Sequence, residues 1–231
     1  MSTRKIVAFL PCRKGSQRVP DKNIRSFGGV KNGLFEIKLS QLLSVNYIDE
    51  IVLSTNDLRL IDLAKERNSP KIIIDKRSDH LSSSTTSTDD LIRYIPKLIS
   101  GSDTHVLWTH VTSPFLTEKK YDVAIKDYFE ALKHGYDSMM SVTKIQKFLW
   151  NKSGPINYNR EKEKWPRTQT IDPVYEINSG FFLNPLENYR MYWDRVGKNP
   201  KLFELDVQES FDIDWEEDFK MGEIMWKQNE I

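Results

Sequence analysis

The chain has 231 residues, 34 of them Lys or Arg and 33 Asp or Glu, for a formal charge of +1, so it is not built as a nucleic-acid binder that works by neutralising phosphates. A single cysteine excludes an intramolecular disulfide, and no apolar run approaches the ~20 residues of a membrane span or has a signal-peptide layout. A cytoplasmic, reducing setting without a membrane partner is expected, and the length suits one α/β domain over 1–231.

The first element is Ile6-Val7-Ala8-Phe9-Leu10, whose unbroken apolar run predicts a buried parallel strand over 5–11. Behind it comes Pro11-Cys12-Arg13-Lys14-Gly15-Ser16-Gln17-Arg18-Val19-Pro20-Asp21-Lys22-Asn23, with four cations in a loop punctuated by Gly and Pro. Open α/β sheets bind ligands just outside the carboxyl ends of their strands, which is where this loop falls. Arg offers a bidentate fork, Lys a point charge and Gly15 close backbone approach, a combination suited to phosphates; a merely solvated basic loop is the alternative. Neither a dinucleotide G-x-G-x-x-G nor a G-x-x-x-x-G-K-[ST] is present.

Further strands are expected at 50–55, 71–75, 105–109 and 137–143, with helices at 34–43, 57–67, 88–99 and 118–133 between them. Asn56-Asp57 and Ser87-Thr88-Asp89 supply helix N-caps. This alternation predicts a doubly wound, mostly parallel α/β sheet. Residues 144–175 break the rhythm with Trp150, Gly154-Pro155, a charged run over 159–164 and Trp165, which reads as an inserted hairpin or arm. The charged run suits a solvated turn, and the flanking aromatics suit a partner subunit. A strand near 178–183, a helix near 185–194, a strand near 202–206 and a closing helix from Asp214 complete the chain.

The second chemical feature is Ser210-Phe211-Asp212-Ile213-Asp214-Trp215. On an extended segment Asp212 and Asp214 point one way and Ile213 the other, so the two carboxylates form a hard-oxygen site for Mg²⁺, with Mn²⁺ as the alternative. Asp214 could instead N-cap the last helix, with Glu217 completing a capping box.

Taken together these segments resemble the cytidylyltransferases that activate 3-deoxy-2-keto sugar acids, the acylneuraminate and Kdo CMP-sugar synthetases. Arg13, Ser16, Pro20, Lys22 and Asn23 fall on that family's signature loop, and Asp212 and Asp214 on its Asp-x-Asp. Ser54-Thr55-Asn56-Asp57, Arg77-Ser78-Asp79-His80-Leu81-Ser82 with the polar run to Thr86, Thr112-Ser113-Pro114, Trp165-Pro166-Arg167-Thr168-Gln169 and Glu176-Ile177-Asn178-Ser179-Gly180 match its other motifs in order. Three sites depart from it: Cys12 stands for an Ala, Phe115-Leu116-Thr117 for a segment that often carries Arg after Ser-Pro-Leu, and His110-Val111 for Gln-Pro, which adds a group able to titrate near neutrality.

The resemblance implies a fold of the nucleotidyltransferase type with a small dimerisation arm at 144–175. It also implies transfer of CMP from CTP to the anomeric hydroxyl of a sialic-acid-like or Kdo-like sugar acid, releasing pyrophosphate, in surface-glycan assembly. The implied catalytic residues are Arg13, Lys22 and Asp212, and Asp212 and Asp214 hold the metal. Arg13, Ser16, Lys22, Asn23, Arg77 and Thr86 bind the nucleotide, while His110, Arg167, Gln169 and Asn178 bind the acid. CTP, the acid and a second copy of the chain are the implied partners. Two readings from other classes stay open: a glycosyltransferase using Asp-x-Asp to hold a nucleotide sugar, and a non-catalytic nucleotide binder.

Overall fold

Two apolar faces on each central strand organise the molecule, of which the computed structural model describes residues 4–83 and 85–229. In β1 (Lys5–Pro11), Ile6, Ala8 and Leu10 join one core while Val7 and Phe9 join the other. The same alternation divides β2 (Glu50–Thr55) and β4 (Thr104–Thr109): Leu53 and Leu107 face the first core, Val52 and Trp108 the second. Helices α1 (Gly33–Ser44), α2 (Leu58–Glu66) and α4 (Glu118–Lys133) cover the first face, and α3 (Thr88–Leu98) and α5 (Leu186–Tyr192) the second. The closing helix α6 (Glu216–Asn229) packs Phe219 into the first core.

The remaining strands are β3 (Ile72–Lys76), β5 (Ser138–Ile145), β8 (Val174–Pro185) and β9 (Pro200–Glu204), with β6 (Trp150–Asn151) and β7 (Gly154–Pro155) forming a small separate hairpin. The seven-stranded sheet runs β3-β2-β1-β4-β8-β5-β9, and β8 alone is antiparallel to its neighbours. After β1 the chain builds outward through β2 and β3, then returns to place β4 on the other side of β1. The topological switch point therefore lies between the carboxyl ends of β1 and β4, where a doubly wound sheet opens its ligand crevice.

The doubly wound, mostly parallel sheet is as expected, and most boundaries agree to a residue or two. The strand expected at 178–183 is longer, because residues from Val174 onward pair with β5 across an irregularity between Met140 and Val142. The insertion at 144–175 thus grows from a sheet-like stem and carries the β6–β7 hairpin at its end. The helix expected to reach 194 stops at Tyr192, since Trp193 turns left-handed at φ +53°. The last strand sits at 200–204 rather than 202–206, paired with β5 from Ser138 to Val142.

Asp57 and Ser87 cap α2 and α3 as the sequence indicates, and Ser87 forms a reciprocal capping box with Asp90. Asp214 does not cap α6. Asp218, in its first turn, accepts from the backbone N–H groups of Asp214 and Trp215 at 3.0 and 2.8 Å, while the Asp214 carboxylate is engaged by Arg18.

One polar chain runs through the core beneath the crevice. Lys38 of α1, wholly buried, donates to the Leu116 carbonyl at 3.2 Å and the Tyr121 hydroxyl at 3.0 Å. Tyr121 meets Thr109 Oγ1 at 2.6 Å, and Thr109 donates to the Gly180 carbonyl at 2.8 Å. With neutral partners only, burial pushes the Lys38 ammonium down to about 7. The unfolded chain holds that proton to about pH 10.4, so between pH 7 and 10 the native state binds fewer protons and stability rises with pH. Denaturant titrations across this window should show that rise, and Lys38→Met should flatten it and gain roughly 2 kcal/mol at pH 7. An unchanged slope in the variant would contradict a charge-penalised lysine.

Candidate active site

The loop leaving β1 is held in shape before any ligand arrives. Cys12 N–H donates to the Ser54 carbonyl at 2.9 Å, Lys14 N–H to Asn56 Oδ1 at 2.8 Å, and Asn23 Nδ2 to the Arg13 carbonyl at 3.2 Å. Gly15 sits at φ +80° with open space where a Cβ would stand, a conformation that other residues adopt only with strain. The loop walls a cleft of about 300 Å³ lined by Arg13, Ser16, Arg18, Lys22, Asn23 and His110, at the switch point. The Arg13 guanidinium spends one long contact, 3.4 Å, on the Ser83 carbonyl.

At one edge this cleft meets the C-terminal carboxylates. Lys22 Nζ donates to the Ile213 carbonyl at 2.7 Å and lies 3.5 Å from Asp214 Oδ1. Arg18 grips Asp214 through two hydrogen bonds, 3.0 and 2.8 Å, and stacks over the Trp215 ring at 5.1 Å. Burial lowers the Lys22 pKa, with Asp214 and Asp212 pulling the other way. Ile213 is fully buried between them, as the alternation of an extended segment requires.

Beyond the carboxylates lies a second cleft of about 570 Å³, lined by Thr143, Glu176, Asn178, Ser210, Asp212 and Asp214 among others. Asp212 is the buried member. Desolvation raises its pKa, the Thr112 side chain opposes that shift, and its Oδ1 is a buried oxygen with no hydrogen-bond partner. Asn178 is held by Ser141 at 2.6 Å and by its own bond to Thr143 Oγ1 at 3.0 Å. The next residue, Ser179, takes φ +57°, a strained backbone for a residue with a side chain and one concentrated at functional sites.

Of the residues singled out from the sequence, Arg13, Ser16, Lys22, Asn23 and His110 come together in the first cleft, and Asn178, Asp212 and Asp214 in the second. Arg77 lines neither; it is buried and spends its guanidinium on Ser54 Oγ and O at 3.0 and 2.6 Å, bracing the end of β2. Thr86 donates to the His80 carbonyl at 2.9 Å, in the segment that borders Arg13. Arg167 and Gln169 lie exposed on the arm, away from both clefts of their own chain.

The expectation that His110 titrates near neutrality is overturned. Its ring is desolvated and faces Arg195, Lys22 and Lys38, which together push its pKa down to about 3, so it stays neutral. Three contributors escaped sequence reasoning. Arg18 was visible as a cation in the loop, but its partner is 196 residues away. Thr112 and Trp108 act on Asp212 and His110 through contacts that no local pattern announces.

A cationic loop at the switch point, opposed by paired carboxylates, places the chain among the nucleotide-binding α/β enzymes of the nucleotidyltransferase fold. Solved structures agree on that fold: a CMP:2-keto-3-deoxy-manno-octonic acid synthetase complexed with CTP superposes with a TM-score of 0.66 at 14% identity, over 97% of this chain and 99% of that one. Among sequences, the chain is 25% identical over 233 residues to a pseudaminic acid cytidylyltransferase of Campylobacter jejuni, covering 97% of both. It is 27% identical over 241 residues to a CMP-N,N'-diacetyllegionaminic acid synthase of Legionella pneumophila, covering 98% of both. The cytidylyltransferase family profile matches residues 7–231. The chain therefore belongs to the cytidylyltransferase family and is a CTP-dependent nucleotidyltransferase, and no helix among its described residues is long and apolar enough to cross a membrane.

Cys12 forms part of the floor of the first cleft, 1% exposed, and burial pushes its thiol up to about 12. Iodoacetamide reacts with thiolates, so at pH 8 the native protein should alkylate about a thousandfold more slowly than the same chain in denaturant. Labelling within a few-fold of the denatured rate would show that the loop opens far more freely than its hydrogen bonds imply.

Proposed function

We propose that this enzyme transfers the cytidylyl group from CTP to the anomeric hydroxyl of a 2-keto-3-deoxy sugar acid of the sialic, pseudaminic or legionaminic type, releasing pyrophosphate for surface-glycan assembly. The observation that carries the reading is the meeting of the two clefts at Lys22, Arg18 and Asp214, one cleft cationic and the other lined by hydrogen-bonding side chains. The names of its relatives, pseudaminic acid cytidylyltransferase and diacetyllegionaminic acid synthase, support the acceptor class.

In this reading the hydroxyl oxygen attacks the α-phosphorus as the bond to the β-phosphate oxygen breaks, and pyrophosphate departs in line. Arg13 and Lys22 neutralise charge building on the phosphate oxygens, Ser16 donates a hydrogen bond, and Asn23 keeps the loop in register. Asn178 presents its amide to the acid in the second cleft. The all-oxygen pair Asp212 and Asp214, with an unpartnered Asp212 Oδ1, fits Mg²⁺ or Mn²⁺. Such an ion, when bound, supplies Lewis-acid stabilisation of phosphate charge.

Arg167 and Gln169 would serve the acid carboxylate from the arm, reaching the cleft of a second copy of the chain. Exposed Trp150 and Trp165, 57% and 67% accessible and both overlaid by Arg160, suit burial in such a homodimer.

The direct test measures pyrophosphate release with CTP and Mg²⁺ against a panel of 2-keto-3-deoxy sugar acids, with UTP and ATP as controls. Release confined to CTP and one acid is expected; silence across the panel with CTP binding intact would contradict the acceptor class. Lys22→Met should lower kcat by about a hundredfold or more. Arg167→Ala should raise KM for the acid and leave that for CTP unchanged; equal losses for both would remove the carboxylate assignment.

A further inference from the structure

Trp108 lies in the core at 1% exposure and points its indole Nε1–H at His110 Nε2, 3.1 Å away. An indole N–H only donates, so Nε2 must offer its lone pair, and the neutral ring must carry its proton on Nδ1. Nδ1 has no partner among the described residues, and His110 lines the first cleft beside Arg13 and Lys22. The indole is itself fixed. Phe9 meets it edge-on with centroids 4.9 Å apart, and the Arg195 guanidinium lies 5.3 Å from its ring and 3.9 Å from that of Phe182.

We infer that Trp108 is a positioning residue that locks His110 in the Nδ1–H tautomer, making it a permanent hydrogen-bond donor to a substrate oxygen in the first cleft and not a group that exchanges protons. The substrate half of this inference rests on the proposed reaction; the tautomer half does not. The titratable groups acting on the ring are Arg195 from the loop after α5, Lys22 from the phosphate loop and, as a cation only below about pH 7, Lys38 from α1. Each opposes a second proton, and burial opposes it most. A side-chain amide at this position would offer a donor and an acceptor together. The locked imidazole offers the cleft one N–H alone, so it selects for a hydroxyl, carbonyl or carboxylate oxygen and against a donor such as an ammonium.

Nitrogen NMR of the full chain labelled with isotopic histidine, without substrates, reads the tautomer directly. His110→Gln identifies the His110 signals among the four histidines. The expected result is a neutral ring protonated at Nδ1 and unchanged between about pH 5 and 8, the span in which an ordinary histidine titrates. An Nε2–H tautomer, or an imidazolium appearing in that span, would overturn the inference. Trp108→Phe keeps the aromatic packing and removes the donor. In that variant the nitrogen spectrum should show both neutral tautomers of His110, and kcat/KM should fall about tenfold. In a His110→Gln background the same Trp108→Phe change should cost little more, because no imidazole is left to position. A Trp108→Phe spectrum with His110 still protonated only at Nδ1 would overturn the lock. Because the NMR needs no turnover, failure of every acid in the panel would defeat the proposed reaction while the tautomer is decided separately.

Discussion

A lysine ammonium loses several kcal/mol of hydration when it is buried, and it stays charged only where fixed acceptors replace the water. Lys22 has such acceptors at the far end of the chain, in the Ile213 carbonyl and the Asp214 carboxylate, and Arg18 makes a second, bidentate connection beside it. These contacts draw the loop after β1 onto the segment before α6. They work because Ile213 is buried between Asp212 and Asp214, so the backbone carbonyl, the two carboxylates and the apolar anchor are set by one short stretch. The contact between the two clefts depends on that stretch holding its register.

The charges around the crevice are unequally compensated. Arg18 and Lys22 are partnered, whereas Arg13 makes one long hydrogen bond to a carbonyl. Asp212 is buried with an oxygen unpaired, and His110 is kept neutral by burial first and by the cations around it second. A polyanion entering the first cleft therefore meets an undersatisfied guanidinium, and a cation entering between the aspartates meets an undersatisfied carboxylate. Lys38 and its hydroxyl chain add a buried charge beneath Thr109 and Gly180, at a stability cost that falls as pH rises.

Much of this arrangement was legible in the sequence, for physical reasons that can be named. The central strands are apolar on both faces, so their runs stand out, and the Ser87 and Asp57 caps mark helix starts through short-range hydrogen bonds. The phosphate loop and the Asp-x-Asp are local patterns and could be found as such. What stayed hidden depends on distant pairing. The lower half of β8 is strand only because β5 lies beside it, and the Asp214 carboxylate is taken by Arg18 and Lys22 from the other end of the chain. His110 reads as a titratable group until its burial, the Trp108 indole and the charge of Arg195 are taken together. Arg77, read from its motif as a nucleotide contact, is occupied in bracing Ser54.

The claim on which the rest turns is that the loop after β1 and the C-terminal aspartates act on one nucleotide. No hydrogen bond or ion pair joins Arg13 to Asp212, so strong coupling between them in CTP affinity, with Lys22 kept in every variant, reports a shared ligand. A double-mutant cycle with Arg13→Ala and Asp212→Asn, read as CTP affinity by calorimetry in the presence of Mg²⁺, measures that coupling. A non-additive term of about 1 kcal/mol or more is the result the account predicts, whereas effects that add within about 0.5 kcal/mol would mean that the two segments serve separate sites.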